Sequence, residues 1–266
     1  MLSENFLSPV PFHGLPSHPF LFSAPLRAPS PLLLSIPIPP ARSRDKYASY
    51  VWNAAILLAD RIVCEEVDVR GKRVLELGCG LALPGLAAVK KGASKVVLSD
   101  YDDPLALADT AHAAEEALSP VELRRVEVAG HTWGESIVPL LHASPSYDLI
   151  LVADCVWDPS LHSPLIRTLS SLLAACPSAV VHFAAGFHTR RSVVAGFLAA
   201  AEEAGVSPVR REEWVEVSTE GEERAWSWED WAWGGKGNQE ERQEERNRWT
   251  LYGTLGRSRF EETEPA

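Results

Sequence analysis

A glycine turn after a short apolar segment carries the strongest chemical signal in the sequence. The segment 73–77 is followed by Gly78 and Gly80, and then by a helix signal with proline in its first turn. Glycine lets a ligand approach the backbone, and a helix N-terminus offers unpaired N–H groups to an anion. The dinucleotide fingerprint requires a third glycine where this chain has Leu83. The turn therefore favours a nucleotide-like ligand other than NAD.

Two acidic residues accompany this turn. Glu76 lies two residues before Gly78, where it can orient the turn and reach the ammonium group of S-adenosylmethionine (SAM), directly or through water. Asp100 ends the next strand signal, where an acid accepts hydrogen bonds from both hydroxyls of a ribose. The alternatives are a turn that binds nothing and an N-cap role for Asp100, although the aspartates at 102 and 103 suit a cap better. Together the two acids predict SAM as the cofactor.

Further candidates follow the next two strand signals. Trp133, in the 130–134 loop, either covers an adenine ring or packs in the core. Asp154 either binds or orients an acceptor amine or caps a turn, and Trp157 can wall the channel and favour a cationic amine over its face. Cys155 is not expected to be a nucleophile, because no histidine is adjacent and methyl transfer from a sulfonium needs no covalent intermediate. An acceptor amine is therefore expected at the end of the fourth strand.

Alternating strand and helix signals from about residue 44 define the elements that must bring these residues together. Five strand-helix units predict a doubly wound α/β sheet, whose ligand crevice lies at the carboxyl ends of the strands. The last two strand signals predict an antiparallel pair joined by a long, charged, Trp-rich loop. The fold class is α/β, a mostly parallel, seven-stranded sheet with this antiparallel C-terminal pair. The predicted strands are 73–77, 95–100, 122–128, 147–154, 179–187, 212–217 and 248–255, and the predicted helices are 50–63, 84–91, 105–118, 161–175 and 189–204.

The N-terminal segment and the Trp-rich loop lack the alternating strand and helix signals of the rest of the chain. Ten of the 20 prolines lie in residues 1–42, which predicts a disordered arm before a folded domain at 43–266. In the loop, the tryptophans either form a binding lip for a partner or pack the loop against the sheet. These tryptophans are Trp226, Trp228, Trp231 and Trp233.

Composition narrows the classes of function and partner. The chain has 266 residues with a net charge of −11, which disfavours a general binder of nucleic acid or anionic membranes and suits a basic partner. The four cysteines lack metal-ligand spacing and indicate reduced intracellular thiols. No apolar run is long enough for a transmembrane helix. We therefore expect no metal, no direct nucleic-acid partner, no membrane partner and a cytoplasmic location.

At these motifs the chain resembles the class I, seven-stranded SAM-dependent methyltransferases, and within them the lysine-methyltransferase-like group. The match runs from residue 46 to about residue 257 and looks most like a fungal branch that methylates translation elongation factor 1-alpha at its N-terminus and an adjacent lysine. That branch is also labelled nicotinamide N-methyltransferase-like. The resemblance implies a Rossmann-like fold and places Trp52, Gly78, Asp100, Trp133 and Ala153 around the cofactor. The segments that carry it are 51–55, 58–60, 74–80, 83–85, 99–101, 130–134, 153–157 and 245–249.

Two positions depart from the pattern of that family. The usual glycine before Leu-Pro is Ala82, which bears on the shape of the cofactor loop. The Asp-x-x-Tyr or Asp-x-x-Phe motif after the fourth strand ends here in Trp157, so the motif does not identify the acceptor. The resemblance thus leaves the expected cofactor unchanged and the acceptor open.

The residues and the resemblance together predict a SAM-dependent N-methyltransferase that acts on a protein lysine or N-terminus, with elongation factor 1-alpha as the implied substrate. One alternative is a small-molecule N-methyltransferase with a nicotinamide-like acceptor, and another is an inactive fold that serves as a binding module. Catalytic roles are assigned to Asp154 and Trp157. Cofactor binding is assigned to Trp52, Glu76, Gly78, Gly80, Asp100, Trp133 and Ala153.

Overall fold

The computed structural model describes residues 11–40, 48–229 and 241–258. Within these ranges, nine strands form one main sheet and two strand pairs lie apart from it. The strands, in chain order, are β1 (Phe12–His13), β2 (Pro19–Ser23), β3 (Leu33–Pro37), β4 (Val51–Trp52), β5 (Arg73–Leu77), β6 (Lys95–Asp100), β7 (Val126–Gly130), β8 (Leu149–Ala153), β9 (Val180–Gly186), β10 (Val206–Pro208), β11 (Val215–Ser218), β12 (Glu223–Ala225) and β13 (Trp249–Arg257).

Helices pack in two buried clusters. One cluster contains residues of the first three helices, and the other contains residues of the sixth and seventh. No helix in the described ranges is long and apolar enough to cross a membrane. The helices are α1 (Asn53–Val63), α2 (Leu83–Lys90), α3 (Pro104–Ala117), α4 (Pro120–Leu123), α5 (Val138–Leu141), α6 (His162–Leu172), α7 (Arg191–Glu203) and α8 (Gln243–Asn247).

The centre of the main sheet is parallel, as the sequence predicts. Its strands lie in the order β9-β8-β5-β6-β7, and β8 has the apolar, buried residues of a strand covered on both faces, while β5 is buried from Val74 to Leu77. The chain runs outward from β5 through β6 to β7 and then crosses to β8 on the other side of β5. The strand order therefore reverses between β5 and β8, which is where ligands bind in open α/β sheets.

The C-terminal strands are antiparallel, which confirms the predicted pair. β13 pairs with β9, β10 and β11, and β12 extends the sheet beyond β11. A buried ion pair joins this region to the helical layer, because Arg191 Nη1 at the start of α7 lies 2.6 Å from Glu216 Oε1 on β11. The antiparallel strands thus fix the position of the segment that follows β9.

The strand predicted at 122–128 begins later than expected. Ser119 and Glu122 form a capping box, in which the Glu122 carboxylate accepts a hydrogen bond from the Ser119 amide at 2.8 Å. This box holds the first residues of the predicted strand in the short helix α4, so β7 starts only at Val126.

The prediction of a disordered arm is wrong for residues 11–40. β2 and β3 form an antiparallel hairpin, and Phe22, Leu34 and Ile36 are buried in the same cluster as α1 and α2. The period-two spacing of these apolar residues outweighs the proline content, because Pro19 and Pro37 lie at strand ends of a hairpin outside the main sheet. Residues 1–10 and 41–42 lie outside the described ranges.

The N-terminal segment also changes the start of the first helix. β1 pairs antiparallel with β4, and the Asn53 amide donates to the Pro11 carbonyl at 3.0 Å. The helix predicted from residue 50 therefore begins at Asn53, after two extended residues. This pairing places Trp52 at the edge of the crevice.

Candidate active site

A cavity of about 540 Å³ opens at the carboxyl ends of β5, β6, β8 and β9. The structure brings every predicted site residue to this one cavity, although their separate roles stay predictions. The predicted residues that line it are Trp52, Glu76, Gly78, Gly80, Asp100, Trp133, Ala153, Asp154 and Trp157. Lining residues that the sequence analysis did not select include Tyr50, His188 and Thr189.

The glycine turn is a cradle with no room for side chains. Gly78 has φ +61°, and a Cβ there would lie 2.7 Å from Cys155 Sγ and 2.9 Å from Trp133 Cζ2. Gly80 has φ +51°, and its Cβ would meet the Ala48 carbonyl oxygen at 3.0 Å. Both conformations favour glycine, which explains why the turn needs this residue at both positions.

Asp100 fixes the glycine turn from the neighbouring strand. Its Oδ2 accepts a hydrogen bond from the Gly80 amide at 2.6 Å, and its Oδ1 accepts one from the Tyr101 amide at 2.7 Å. The carboxylate therefore faces the cavity from the end of β6 and also shapes the turn. Its predicted contact with ribose hydroxyls adds to this structural role, because a carboxylate has about four acceptor positions.

Glu76 is almost completely buried beneath the turn, with 1% of its surface exposed. Its Oε2 accepts a hydrogen bond from the Gly85 amide in the first turn of α2 at 2.8 Å. Burial raises the pKa of the Glu76 carboxyl to about 8, even though the Gly85 contact acts in the opposite direction. The group is therefore mostly protonated near neutral pH, and a cationic ligand group beside it would favour its ionised form.

Trp133 and His131 form the wall after β7. Trp133 packs partly against the second buried cluster and approaches the position where a Gly78 side chain would lie. His131 is buried and its Nε2 lies 3.2 Å from the Thr168 hydroxyl, and burial lowers the pKa of its ring. This environment fits a structural role for His131, and Trp133 lies beside the glycine cradle.

Asp154 ends β8 in an uncommon backbone conformation. Its φ is +59°, in the left-handed region that few residues other than glycine adopt. Its amide donates to the Ala184 carbonyl at 2.8 Å, and its Oδ1 accepts from the Gly186 amide at 3.1 Å. These two contacts with β9 hold the carboxylate at the cavity, so Asp154 has a structural role in addition to the predicted catalytic one.

His188 is the functional candidate that the sequence analysis missed. It follows β9, the next strand after β8 in the sheet, and its Nδ1 lies 3.8 Å from Asp154 Oδ2. Its ring lies against Trp52, with the centroids 5.2 Å apart and the planes tilted by 32°. The signal that could have found it is its position at the carboxyl end of the fifth predicted strand, where parallel strands present ligand-binding groups.

Cys155 and two tryptophans of the loop have contacts that fit structural roles. Burial raises the pKa of the Cys155 thiol well above its usual range, and Sγ donates to the Leu77 carbonyl at 3.1 Å, so it is no nucleophile. Trp226 stacks on Phe187 with centroids 5.8 Å apart, and Trp228 contacts Trp214 edge to face. These two therefore pack the loop against the sheet, whereas Trp231 and Trp233 lie outside the described residues.

The cavity residues fit a nucleoside with a charged amino acid tail. The glycine cradle, the Asp100 carboxylate and the Trp133 ring lie together at the switch point of the sheet. Two buried polar atoms at the cavity, His188 Nδ1 and Thr189 Oγ1, have no hydrogen-bond partner among the described residues. Among the same residues, no group of three or more His, Cys, Asp or Glu side chains could hold a metal ion.

Two solved structures with a similar fold are described as methyltransferases. A candidate methyltransferase solved in complex with S-adenosylhomocysteine (SAH) has a TM-score of 0.56 and 12% identity, and the match covers 91% of this chain and 57% of that one. A candidate SAM-dependent methyltransferase from Streptococcus mutans has a TM-score of 0.53 and 13% identity, with 91% and 56% covered. At these identities the likeness shows the fold alone.

Curated relatives have a higher sequence identity to this chain. The protein N-terminal and lysine N-methyltransferase EFM7 of Cryptococcus neoformans is 34% identical over 136 residues, which cover 50% of this chain and 46% of the relative. EFM7 of Candida glabrata is 33% identical over 189 residues, covering 69% and 73%. The histone-arginine methyltransferase METTL23 of Xenopus laevis is 34% identical over 137 residues, covering 50% and 55%.

The share of the chain that each match covers determines whether the family can be assigned. The match spans about half the length of several of the curated relatives. The family model described as lysine methyltransferase matches residues 40–204, which include the glycine turn, both strand-end aspartates and His188. Because this match covers more than half of the sequence, the chain belongs to the lysine methyltransferase family.

Proposed function

We propose that the chain is a SAM-dependent N-methyltransferase that acts on an amine of a basic protein, either a lysine side chain or the N-terminus. The observation that carries the proposal is the single cavity that joins the glycine cradle to Asp154 and Trp157. The protein class follows from the relatives, since those named EFM7 are protein N-terminal and lysine N-methyltransferases. Elongation factor 1-alpha is the substrate class that the sequence resemblance implies.

SAM is the cofactor of this family. One end of the cavity would bind SAM, and the other end would bind the acceptor amine. When bound, SAM supplies an electrophilic methyl group: the amine lone pair forms the N–C bond while the S–C bond breaks, and the electron pair of that bond stays on sulfur. Asp100 and the glycine turn would hold the nucleoside, and Glu76 would face the ammonium of the amino acid tail. Asp154 and Trp157 would align the amine, and such positioning can supply most of the acceleration.

The rim of the cavity supports a large acceptor. Trp157 is 38% exposed and lies at the edge of the cavity, where a side chain of a protein substrate would enter. The net charge of −11 suits a basic substrate surface and disfavours direct binding of nucleic acid. A cytoplasmic location would bring the enzyme to a translation factor. We further propose that the folded unit includes residues 11–40, because their hairpin packs in the core.

A transfer assay with methyl-labelled SAM tests this function. The purified chain is incubated with unmethylated elongation factor 1-alpha, with the same protein acetylated at its amines, and with nicotinamide. Label on the unmodified protein alone supports the proposal, and mass spectrometry locates the amine. Label on nicotinamide alone would replace it with the small-molecule alternative. SAH binding without any transfer to these acceptors or to lysate proteins would favour a binding module.

A further inference from the structure

An amine acceptor must lose a proton before it can attack a methyl group. A lysine ammonium has a pKa of about 10.4 and a protein N-terminus about 7.7–8.0, so most lysine acceptors arrive without a lone pair at neutral pH. Aligning groups such as Asp154 and Trp157 leave this step unassigned. The inference below rests on the proposed function, because it concerns the amine of the same site.

His188 and Asp154 form a pair at the acceptor side of the cavity. The two side chains follow the carboxyl ends of adjacent strands, β9 and β8, and His188 Nδ1 lies 3.8 Å from Asp154 Oδ2. The Asp154 side chain is 6% exposed and that of His188 is 16% exposed. A histidine with a carboxylate beside one ring nitrogen is suited to take a proton on the other, because the carboxylate stabilises the imidazolium that forms.

The loop that carries His188 is fixed on both sides. The His188 ring lies against Trp52, which β1 and β4 hold at the cavity. Three residues further on, Arg191 is buried, with Nε 2.9 Å from Glu241 Oε2 and its guanidinium 3.9 Å from the centre of the Phe187 ring. These contacts define the position of the imidazole without using either ring nitrogen.

We propose that His188 is the proton acceptor for the incoming ammonium and that Asp154 orients its ring. In this step an N–H bond of the ammonium breaks, an Nε2–H bond forms on His188, and the electron pair stays on the amine nitrogen. The Asp154 carboxylate, with Oδ2 3.8 Å from Nδ1, favours the tautomer that carries its proton on Nδ1 and so leaves Nε2 free to accept the proton of the ammonium. The imidazolium returns its proton to solvent before the next turnover.

A purely structural His188 predicts different behaviour. In that case the ring only fills the space between Trp52 and the end of β9, and its replacement lowers stability and cofactor affinity along with activity. The ring lies near Asp154 after β8, Trp52 from β4 and Gly186 from β9, and of these three Asp154 is the ionisable one. A pH profile of transfer therefore separates the two roles.

The first test compares His188→Gln with His112→Gln, a matched change at an exposed position on α3. Glutamine keeps hydrogen-bonding atoms but takes up no proton in this pH range. We expect H188Q to bind SAH as the wild type does, and to lose about 10²- to 10⁴-fold in transfer to a lysine peptide at pH 7. The deficit should shrink at pH 10, where a much larger fraction of the peptide amine than at pH 7 is already deprotonated in solvent, and H112Q should match the wild type throughout. A deficit that is constant with pH, or an H188Q variant that is fully active at pH 7, overturns the proposal.

The second test observes the ring directly and needs no turnover. In nitrogen-proton correlation spectra of the SAH-bound protein, we expect the neutral His188 ring to carry its proton on Nδ1. Asp154→Gly removes the carboxylate and tolerates the left-handed backbone at this position, and it should abolish this preference. A proton on Nε2 in the wild type overturns the proposal even if transfer occurs. Failure of the wild type to methylate any amine, with the predicted spectrum intact, counts instead against the proposed function.

Discussion

Asp100 and Asp154 lie at the carboxyl ends of strands on opposite sides of β5, and each combines a backbone contact with a place in the cavity. Asp100 accepts the Gly80 amide, whereas Asp154 accepts the Gly186 amide and faces His188. The first therefore acts on the glycine turn, where the nucleoside is expected. The second acts on the acceptor side, so the two carboxylates should differ in the step that they affect.

Substitution of the two aspartates separates these steps. Asp100→Ala should weaken SAH binding by about 1.5–3 kcal/mol, because it removes the charged acceptor for the ribose. Asp154→Asn keeps an oxygen for the Gly186 amide, and should spare SAH affinity yet slow transfer at saturating SAM. Calorimetry, melting curves and single-turnover transfer measure these effects. Equal loss of SAH affinity in both variants would place the acceptor site elsewhere.

The raised pKa of Glu76 makes ligand binding depend on protons. The free carboxyl, with a pKa of about 8, is mostly neutral at pH 7, and the ligand ammonium would favour the carboxylate, so SAH binding should release a proton. Calorimetry at pH 7 in buffers of different ionisation enthalpy measures this release. Glu76→Gln should abolish it, whereas the exposed Glu115→Gln should not. A binding enthalpy independent of the buffer in the wild type would contradict the predicted contact.

The raised pKa of Glu76 also makes the stability of the fold depend on pH. The pKa of Glu76 in the folded protein exceeds its ordinary value, so its contribution is complete below about pH 4.5 and is lost as the pH rises through about 8. The ligand-free wild type should therefore melt at a lower temperature at pH 9 than at pH 7. Glu76→Gln should reduce this difference. An equal pH dependence in both proteins would show that other groups cause it.

At the scale of elements, the residue before α2 has a strained backbone. The sequence indicated this position only as an alanine where related proteins have glycine. Ala82 is the residue before the helix and has φ +58°, the left-handed conformation that glycine adopts without cost. Ala82→Gly should therefore stabilise the fold by about 0.5–1 kcal/mol, after allowing for the greater entropy of glycine in the unfolded chain. Denaturant melts measure this change.

A matched substitution on α3 should change the stability of the fold in the opposite direction. Ala108 is exposed within α3, and Ala108→Gly should destabilise the fold by about 1 kcal/mol, because it removes a good helix former from a helix. If Ala82→Gly were also destabilising, the left-handed conformation of Ala82 would not be a source of strain.

At the scale of the whole molecule, the N-terminal hairpin belongs to the folded unit. Ile36 is 0% exposed in the cluster that also contains residues of α1, whereas Leu33 in the same strand is 65% exposed. Ile36→Ala should cost about 2–5 kcal/mol of the free energy of unfolding, and Leu33→Ala should have little effect. Equal effects in chemical melts would show that the hairpin does not pack as described.

The hairpin also links the stability of the N-terminal segment to the site. β1 pairs with β4, so removal of residues 1–40 takes away the strand that holds Trp52 at the cavity. The shortened chain should melt at a lower temperature and bind SAH more weakly than the full chain. An unchanged melting temperature would restore the prediction of a disordered arm, which the proline content favoured.

The sequence by itself predicted the parallel sheet and the residues that line the cavity around the glycine turn. The residues of the glycine turn, Glu76 and Asp100 are local signals, because glycine and acid positions at strand ends depend on backbone geometry within a few residues. The apolar run of β8 likewise predicts a strand buried on both faces. These features could be predicted because each is encoded by neighbouring residues.

Only the tertiary structure brought His188 to Asp154 and showed how the N-terminal segment packs. His188 lies 34 positions after Asp154, and their proximity depends on the pairing of β8 with β9. The proline-rich segment is ordered over residues 11–40 because its apolar face meets α1 and α3, a contact that no local pattern encodes. The physical reason is the same in both cases: burial and pairing join residues distant in the chain, and their free energy outweighs the local preference of the backbone.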